Sequence, residues 1–79
     1  LADNPRLAVN WFEKGYQVGL EEAVYLNNYA YALMQLHCFA QANKIIEQAL
    51  MLAPDDSNII DTQNQIQSAS EHFKQQDCR

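Results

Sequence analysis

The feature that most constrains the fold is an internal period of thirty-four residues. When the chain is shifted by that length, small residues fall on small residues and large apolar residues fall on large apolar ones. The matched pairs are Ala8 with Ala42, Phe12 with Ile46, Glu13 with Glu47, Gly15 with Ala49, Tyr16 with Leu50 and Val18 with Leu52. Such a period indicates a repeat protein, in which each supersecondary unit buries its apolar face against the next unit.

Apolar residues recur within each period every three or four positions, which is typical of amphipathic helices. The chain has only two glycines and two prolines, so long stretches contain no helix-breaking residue. Asp3 or Asn4 can cap the first helix, and Gly19 can end it in a left-handed conformation. The pattern predicts four helices, over 5–18, 21–36, 39–52 and 57–76.

The stretch 24–56 has the pattern of one whole helix–turn–helix unit. Its pattern residues are Leu26, Tyr29, Ala30 and Leu33 on one helix, and Phe39, Ala42, Ile46, Ala49, Leu50 and Pro54 on and after the next. With its thirty-four-residue period, this stretch resembles the tetratricopeptide repeat. The run AVNWFEKG over 8–15, with Gly19 after it, also resembles the related Sel1-like repeats. The chain departs from the tetratricopeptide pattern at His37, where a glycine is usual, and at Leu26, where a tryptophan is common.

The resemblance implies an all-α fold of about four antiparallel helices, a tetratricopeptide-like piece of a right-handed α–α superhelix. Residues 1–79 would form a single domain, the C-terminal piece of a longer array. Within it, 5–19 would be the second helix of a partial repeat, 23–56 one full repeat and 57–77 a C-terminal capping helix. The polar last segment suits this role, because a terminal cap needs a polar outer face. A plain helical bundle is the alternative.

The resemblance also implies a binding groove, because the first helix of each pair in this family lines a concave surface that holds a peptide or a partner helix. The residues expected in the groove are Val24, Asn27, Asn28, Tyr31, Met34 and Gln35 on the second helix, and Asp61, Thr62, Gln65 and Ser68 on the last. Asn58 and Thr62 stand where the family's carboxylate clamp carries cations, so a basic or neutral partner is favoured. The alternative is that the asparagines are merely solvated polar residues.

A second surface is expected on the first helix, because no earlier helix covers its apolar side. Its residues are Leu7, Trp11 and Val18. An exposed apolar patch of this kind usually marks an interface. We therefore expect either a homodimer through the first helix or upstream repeats that cover it.

The net charge of −5, from five basic and ten acidic residues, narrows the classes of partner. The basic residues are scattered, whereas binding to nucleic acid or to anionic lipid needs a basic cluster or face. No apolar run approaches the ~20 residues that span a bilayer. Nucleic acid and membrane are therefore not expected as partners. The compartment stays unknown, with the cytoplasm slightly favoured.

Reactive side chains are few and poorly spaced for chemistry. His37, Cys38, His72 and Cys78 are the residue types of a structural zinc site, but they are spaced wrongly for one. A disulfide between Cys38 and Cys78 is not expected, because Cys78 should lie beyond the end of a long last helix and far from Cys38. The chain has no glycine-rich phosphate loop and no nucleophile–base arrangement. Neither catalysis nor a metal or cofactor is expected.

These features favour a protein–protein interaction module, a scaffold that binds a peptide or partner helix as part of a larger protein. The alternative is a regulatory or oligomerisation domain of a multidomain protein, such as a bacterial transcription regulator or a secretion component. Asn28 and Tyr31 should matter for the first function, and Leu7 and Trp11 for the second. The sequence does not define the partner or the biological process.

Overall fold

The computed structural model describes residues 4–19, 21–76 and 78, and all regular secondary structure among them is helical. The four helices are α1 (Pro5–Gln17), α2 (Ala23–Gln35), α3 (Phe39–Leu52) and α4 (Ser57–His72). The described part of the chain is thus all-α with four helices, as the sequence predicts. The start of α3 follows that of α1 by one full sequence period, and the start of α4 follows that of α2 by the same interval. None of the described helices combines the length and the apolar character needed to cross a membrane.

Polar side chains start two of the helices. The side chain of Asn4 accepts a hydrogen bond from the Leu7 amide at 3.1 Å, and Pro5 occupies the first turn of α1, where its missing N–H costs nothing. The carboxylate of Asp56 accepts from the Asn58 amide at 2.9 Å and caps α4. The alternative cap Asp3 and residue 77, the predicted end of the C-terminal capping helix, lie outside the described residues.

Left-handed residues end α1 and α2. Gly19 has a φ of +88°, and His37 has a φ of +60°. The backbone at His37 closes α2 with a hydrogen bond of 2.9 Å from the Cys38 amide to the Leu33 carbonyl. Glycine tolerates this conformation freely, whereas a residue with a Cβ atom is strained in it. The position at which the repeat pattern usually has a glycine therefore requires a left-handed residue here too.

The core lies between α2, α3 and α4. α2 packs most extensively on α3, and α4 covers both. Small residues at the contact allow this close approach, since Ala30, Ala42 and Ala49 are fully buried. The largest fully buried side chains are Leu26, Ile46, Ile59 and Ile66. α1 has no buried residue, and only one side of it packs against the rest.

The C-terminal segment contradicts two expectations. α4 ends at His72, not at Gln76, because Phe73 adopts an extended conformation with φ −127° and ψ 150°. Cys78 forms a disulfide with Cys38, and their Cα atoms are 5.9 Å apart. Both predictions were wrong for one reason. Four further helical residues would have carried the chain about 6 Å along the α4 axis, whereas the extended segment returns to the α2–α3 turn.

Candidate functional site

A concavity of about 370 Å³ lies between the N-terminal halves of α2 and α4. Five of the expected groove residues line it, namely Val24, Asn27, Asn28, Asp61 and Thr62. Asp56, Asn58 and Ile59, at the start of α4, complete the wall. The two helices pack against each other, and residues from the first two turns of each line this surface. We call this surface the α2–α4 concavity.

Asn27 is the polar residue of the α2–α4 concavity with an unsatisfied atom. Its side chain is half-buried, and its Oδ1 atom is buried without a hydrogen-bond partner among the described residues. A buried acceptor left in this state costs about 1–3 kcal/mol. Because that oxygen is buried, a bound molecule reaches only the remaining part of the Asn27 side chain.

The charge of the α2–α4 concavity is negative. Asp56 and Asp61 line it, and its other described lining residues are neutral. Asp61 is exposed and accepts a hydrogen bond from the Gln65 side chain at 3.3 Å, whereas Asp56 is occupied in capping α4. The exposed Asp61 carboxylate keeps capacity for further hydrogen bonds, because a carboxylate accepts about four.

The remaining groove residues lie elsewhere. The concavity is not lined by the other five expected residues, namely Tyr31, Met34, Gln35, Gln65 and Ser68. Tyr31 is 40% exposed on a later turn of α2, and Met34 packs partly buried against the core. Thr62 lines the concavity, but it is 6% exposed and its hydroxyl donates to the Asn58 carbonyl at 3.0 Å. Thr62 is therefore part of the wall, with its donor already used.

The apolar side of α1 is open. Leu7 is 64% exposed, Trp11 66% and Val18 83%. The Trp11 ring lies near two aromatic rings, with its centroid 5.2 Å from that of Phe12 and 6.3 Å from that of Tyr25. We call these three side chains the α1 face.

Two tyrosine hydroxyls attach α1 to the other helices. The Tyr25 hydroxyl donates to the Phe12 carbonyl, and the Gln48 amide nitrogen donates to the Tyr16 hydroxyl at 2.9 Å. Burial raises the pKa of Tyr25 above its ordinary value of 10.0. Burial, followed by the nearby charge of Glu13, does the same for the pKa of Tyr29. Both phenols therefore keep their protons at neutral pH, and Tyr25 can act as a donor.

Sequence reasoning missed a second concavity, of about 250 Å³, between α1, α2 and the C-terminal segment. Its described lining residues are Arg6, Val9, Asn10, Glu13, Tyr29, Leu33, Leu36, Cys38, Gln41, Gln76 and Cys78. The segment that closes it was predicted as helix, so the concavity could not be foreseen. The one signal available was the pair of cysteines, with Cys38 placed at the α2–α3 turn.

No protein-family model matches the chain, and neither a curated protein nor a solved structure is significantly similar to it. Within residues 4–19, 21–76 and 78, no group of three or more His, Cys, Asp or Glu side chains is arranged to hold a metal ion. Eight of the predicted site residues lie on two surfaces, because five line the α2–α4 concavity and three form the α1 face.

Proposed function

We propose that this chain is a protein–protein interaction module of the tetratricopeptide type, which holds a peptide or a partner helix in the α2–α4 concavity. Two features support the repeat assignment: the matched residues of α1 and α3, and helix starts that recur with the period of the sequence. In such an array the first helix of each pair lines the binding surface. Here these helices are α2 and α4.

The adjacent Asn27 and Asn28 side chains in the concavity are the observation that most supports this site. The exposed Asn28 amide can both donate and accept, which is what a peptide backbone needs. Val24, 66% exposed, adds apolar surface beside them.

The charge of the concavity favours a basic or neutral partner over an acidic one. Asp56 and Asp61 line it, and the net charge of the chain is −5. Complementary charge accelerates association and disfavours partners of like charge. A partner segment that carries lysine or arginine close to its contact with Asp61 fits this surface.

The test is a peptide-display selection on the intact chain, followed by affinity measurement for the selected peptide. Asn28→Ala and Asp61→Asn should each weaken binding by about tenfold, which corresponds to about 1.4 kcal/mol. The matched controls are Asn64→Ala and Asp55→Asn, which change exposed residues of the same types outside the concavity. Equal losses in both pairs, or a selection that enriches no peptide, would contradict the proposal.

The second candidate function is that of a regulatory or oligomerisation domain in a multidomain protein, such as a bacterial transcription regulator or a secretion component. The α1 face favours it, because Leu7, Trp11 and Val18 form exposed apolar surface. Light scattering across a dilution series tests this function. A dimer that Trp11→Ser disrupts and Tyr31→Ser leaves intact would support it. A monomer at every concentration would exclude self-association through α1.

A further inference from the structure

Residues 73–76 and Cys78 form a segment that leaves α4 and lies across the α2–α3 turn. We call it the C-terminal strap. Its backbone makes two hydrogen bonds to that turn and to α3. The Gln76 amide donates to the His37 carbonyl at 2.9 Å, and the Gln41 side chain donates to the Cys78 carbonyl at 2.7 Å. The strap is thus bound to the surface of its own chain as a short extended peptide would be.

The strap also completes the N-terminus of α3. The first amides of a helix have no acceptor within the helix, and the cap residue Cys38 makes no side-chain capping bond. The Gln75 side chain accepts a hydrogen bond from the Ala40 amide at 3.0 Å and so supplies an acceptor that the helix lacks. The His37 ring stacks between Phe39 and Phe73, with centroid distances of 5.4 and 4.8 Å.

These non-covalent contacts are few and face solvent. Residues 73–76 are all exposed, so their hydrogen bonds compete with water and each contributes about 1 kcal/mol. The disulfide from Cys78 to Cys38 is the covalent link between the strap and the α2–α3 turn. The closed position of the strap therefore depends on the redox state of these two cysteines.

Release of the strap would change the second concavity. Gln76 and Cys78 form part of its wall, and the apolar residues Leu33 and Leu36 line the same concavity. The core of α2, α3 and α4 consists mainly of residues outside the strap. We propose that the Cys38–Cys78 disulfide is a redox-controlled clasp. The oxidised clasp keeps the strap closed over the second concavity, and the reduced clasp frees the strap while the four helices stay folded.

Cys38 and Cys78 differ in solvent exposure, which determines the sulfur that a reductant attacks. Cys38 is 3% exposed, whereas Cys78 is partly exposed. A thiolate of a dithiol reductant therefore attacks the Cys78 sulfur and forms a mixed disulfide, and the Cys38 sulfur leaves as a thiolate and takes up a proton. The second thiol of the reductant then attacks its own sulfur in the mixed disulfide and releases Cys78 as a thiol. Two electrons and two protons pass to the chain, and the reductant leaves as a disulfide.

The experiment compares the oxidised chain with the chain reduced by dithiothreitol without denaturant. Backbone ¹⁵N relaxation measures the order parameters of residues 74–76. We expect a fall from about 0.85 to below about 0.6 on reduction. The order parameters of α2 and α3 should stay near their values in the oxidised chain, and the amide of Ile46 in the core should keep its slow hydrogen exchange.

Two variants sharpen the result. Cys78→Ser should reproduce the mobile strap without reductant. Gln75→Ala in the oxidised chain should speed hydrogen exchange at the Ala40 amide and leave the strap ordered. Two outcomes would overturn the proposal. If the reduced chain loses order in all four helices, the disulfide is a structural staple, and if residues 74–76 stay ordered, the strap does not need the disulfide.

Discussion

α1 and α3 carry matching residues one sequence period apart, yet their surroundings differ. α3 packs against α2 and α4, and Ala42, Ile46 and Ala49 on it are fully buried. α1 packs against α2 and has no buried residue. Phe12, which matches Ile46, is only partly buried.

The difference shows that residue type alone does not set the burial of these two helices. Each helix needs a neighbour on two sides, and α3 has both. The same apolar pattern is therefore buried in α3, where it stabilises the fold, and stays partly exposed to solvent in α1. Trp11 and Ile45 occupy matching positions, but Trp11 is 66% exposed and Ile45 4%.

The largest expected effect is a difference in lost stability between substitutions at Ile45 and at Trp11. Ile45→Ala should lower the free energy of unfolding by about 3 kcal/mol, because it empties a buried site. Trp11→Ala should lower it by about 1 kcal/mol or less, through the lost aromatic contacts with Phe12 and Tyr25. Urea unfolding of the monomeric chain measures both values. Equal losses would mean that α1 is packed as firmly as α3.

Overpacking tests the same pair of helices at their small residues. Ala42→Leu should cost about 2 kcal/mol, because Ala42 is fully buried and the added atoms have no space. Ala8→Leu, at the matching position of α1, should cost clearly less, since Ala8 is only partly buried. Thermal unfolding of the two variants side by side gives the comparison. A greater loss of stability for Ala8→Leu would mean that α1 is packed more tightly than α3 at this position.

Sequence reasoning succeeded where one helix pattern decides the structure. α3 runs from Phe39 to Leu52 as predicted, because its apolar residues repeat regularly and Pro54 follows it closely. It failed at the end of α4, where residues 73–76 contain neither glycine nor proline. Contacts distant in sequence, namely the disulfide and the Gln75 cap, accompany the end of that helix at His72.

The candidate site was foreseen in part, for a geometric reason. The α2–α4 concavity lies at the first two turns of the two helices, and both Asn28 and Asp61 line it. Tyr31 and Gln65 were expected beside them, but each lies one turn further along its helix, about 6 Å per four residues. Helical spacing predicts which residues share a side. It does not predict how far along the helix a concavity extends.

The helix ends offer a smaller test. Gly19 and His37 both adopt left-handed backbones, but His37 stacks on Phe39 and Phe73, whereas no atom would meet a Cβ placed on Gly19 within 4 Å. Gly19→Ala should therefore cost about 1 kcal/mol from backbone strain alone. Gly19→Asn should cost less, because asparagine tolerates this conformation. Chemical denaturation measures both, and no loss for alanine would contradict the geometry at Gly19.

The smallest expected effect concerns the attachment of α1. Tyr25→Phe should lower the free energy of unfolding by about 0.5–1 kcal/mol, because the part-buried hydrogen bond from the Tyr25 hydroxyl to the Phe12 carbonyl is lost. Hydrogen exchange should increase at the α1 amides and stay unchanged at the α3 amides. Because the pKa of Tyr25 is raised in the folded chain, the contribution of Tyr25 to stability depends on pH. The stability it provides is present below about pH 10 and is lost as the pH rises through the folded-state pKa.

The most direct test of peptide binding in the α2–α4 concavity is an NMR titration of the ¹⁵N-labelled chain with the peptide obtained by selection. The side-chain amide signals of Asn27 and Asn28 report on the α2–α4 concavity, and the indole N–H of Trp11 reports on the α1 face. We predict large shifts at both asparagines and at the Asp61 backbone amide, with the Trp11 signal unchanged. Shifts at Trp11 and Leu7 with unmoved asparagine signals would contradict the claim and place the binding surface on α1.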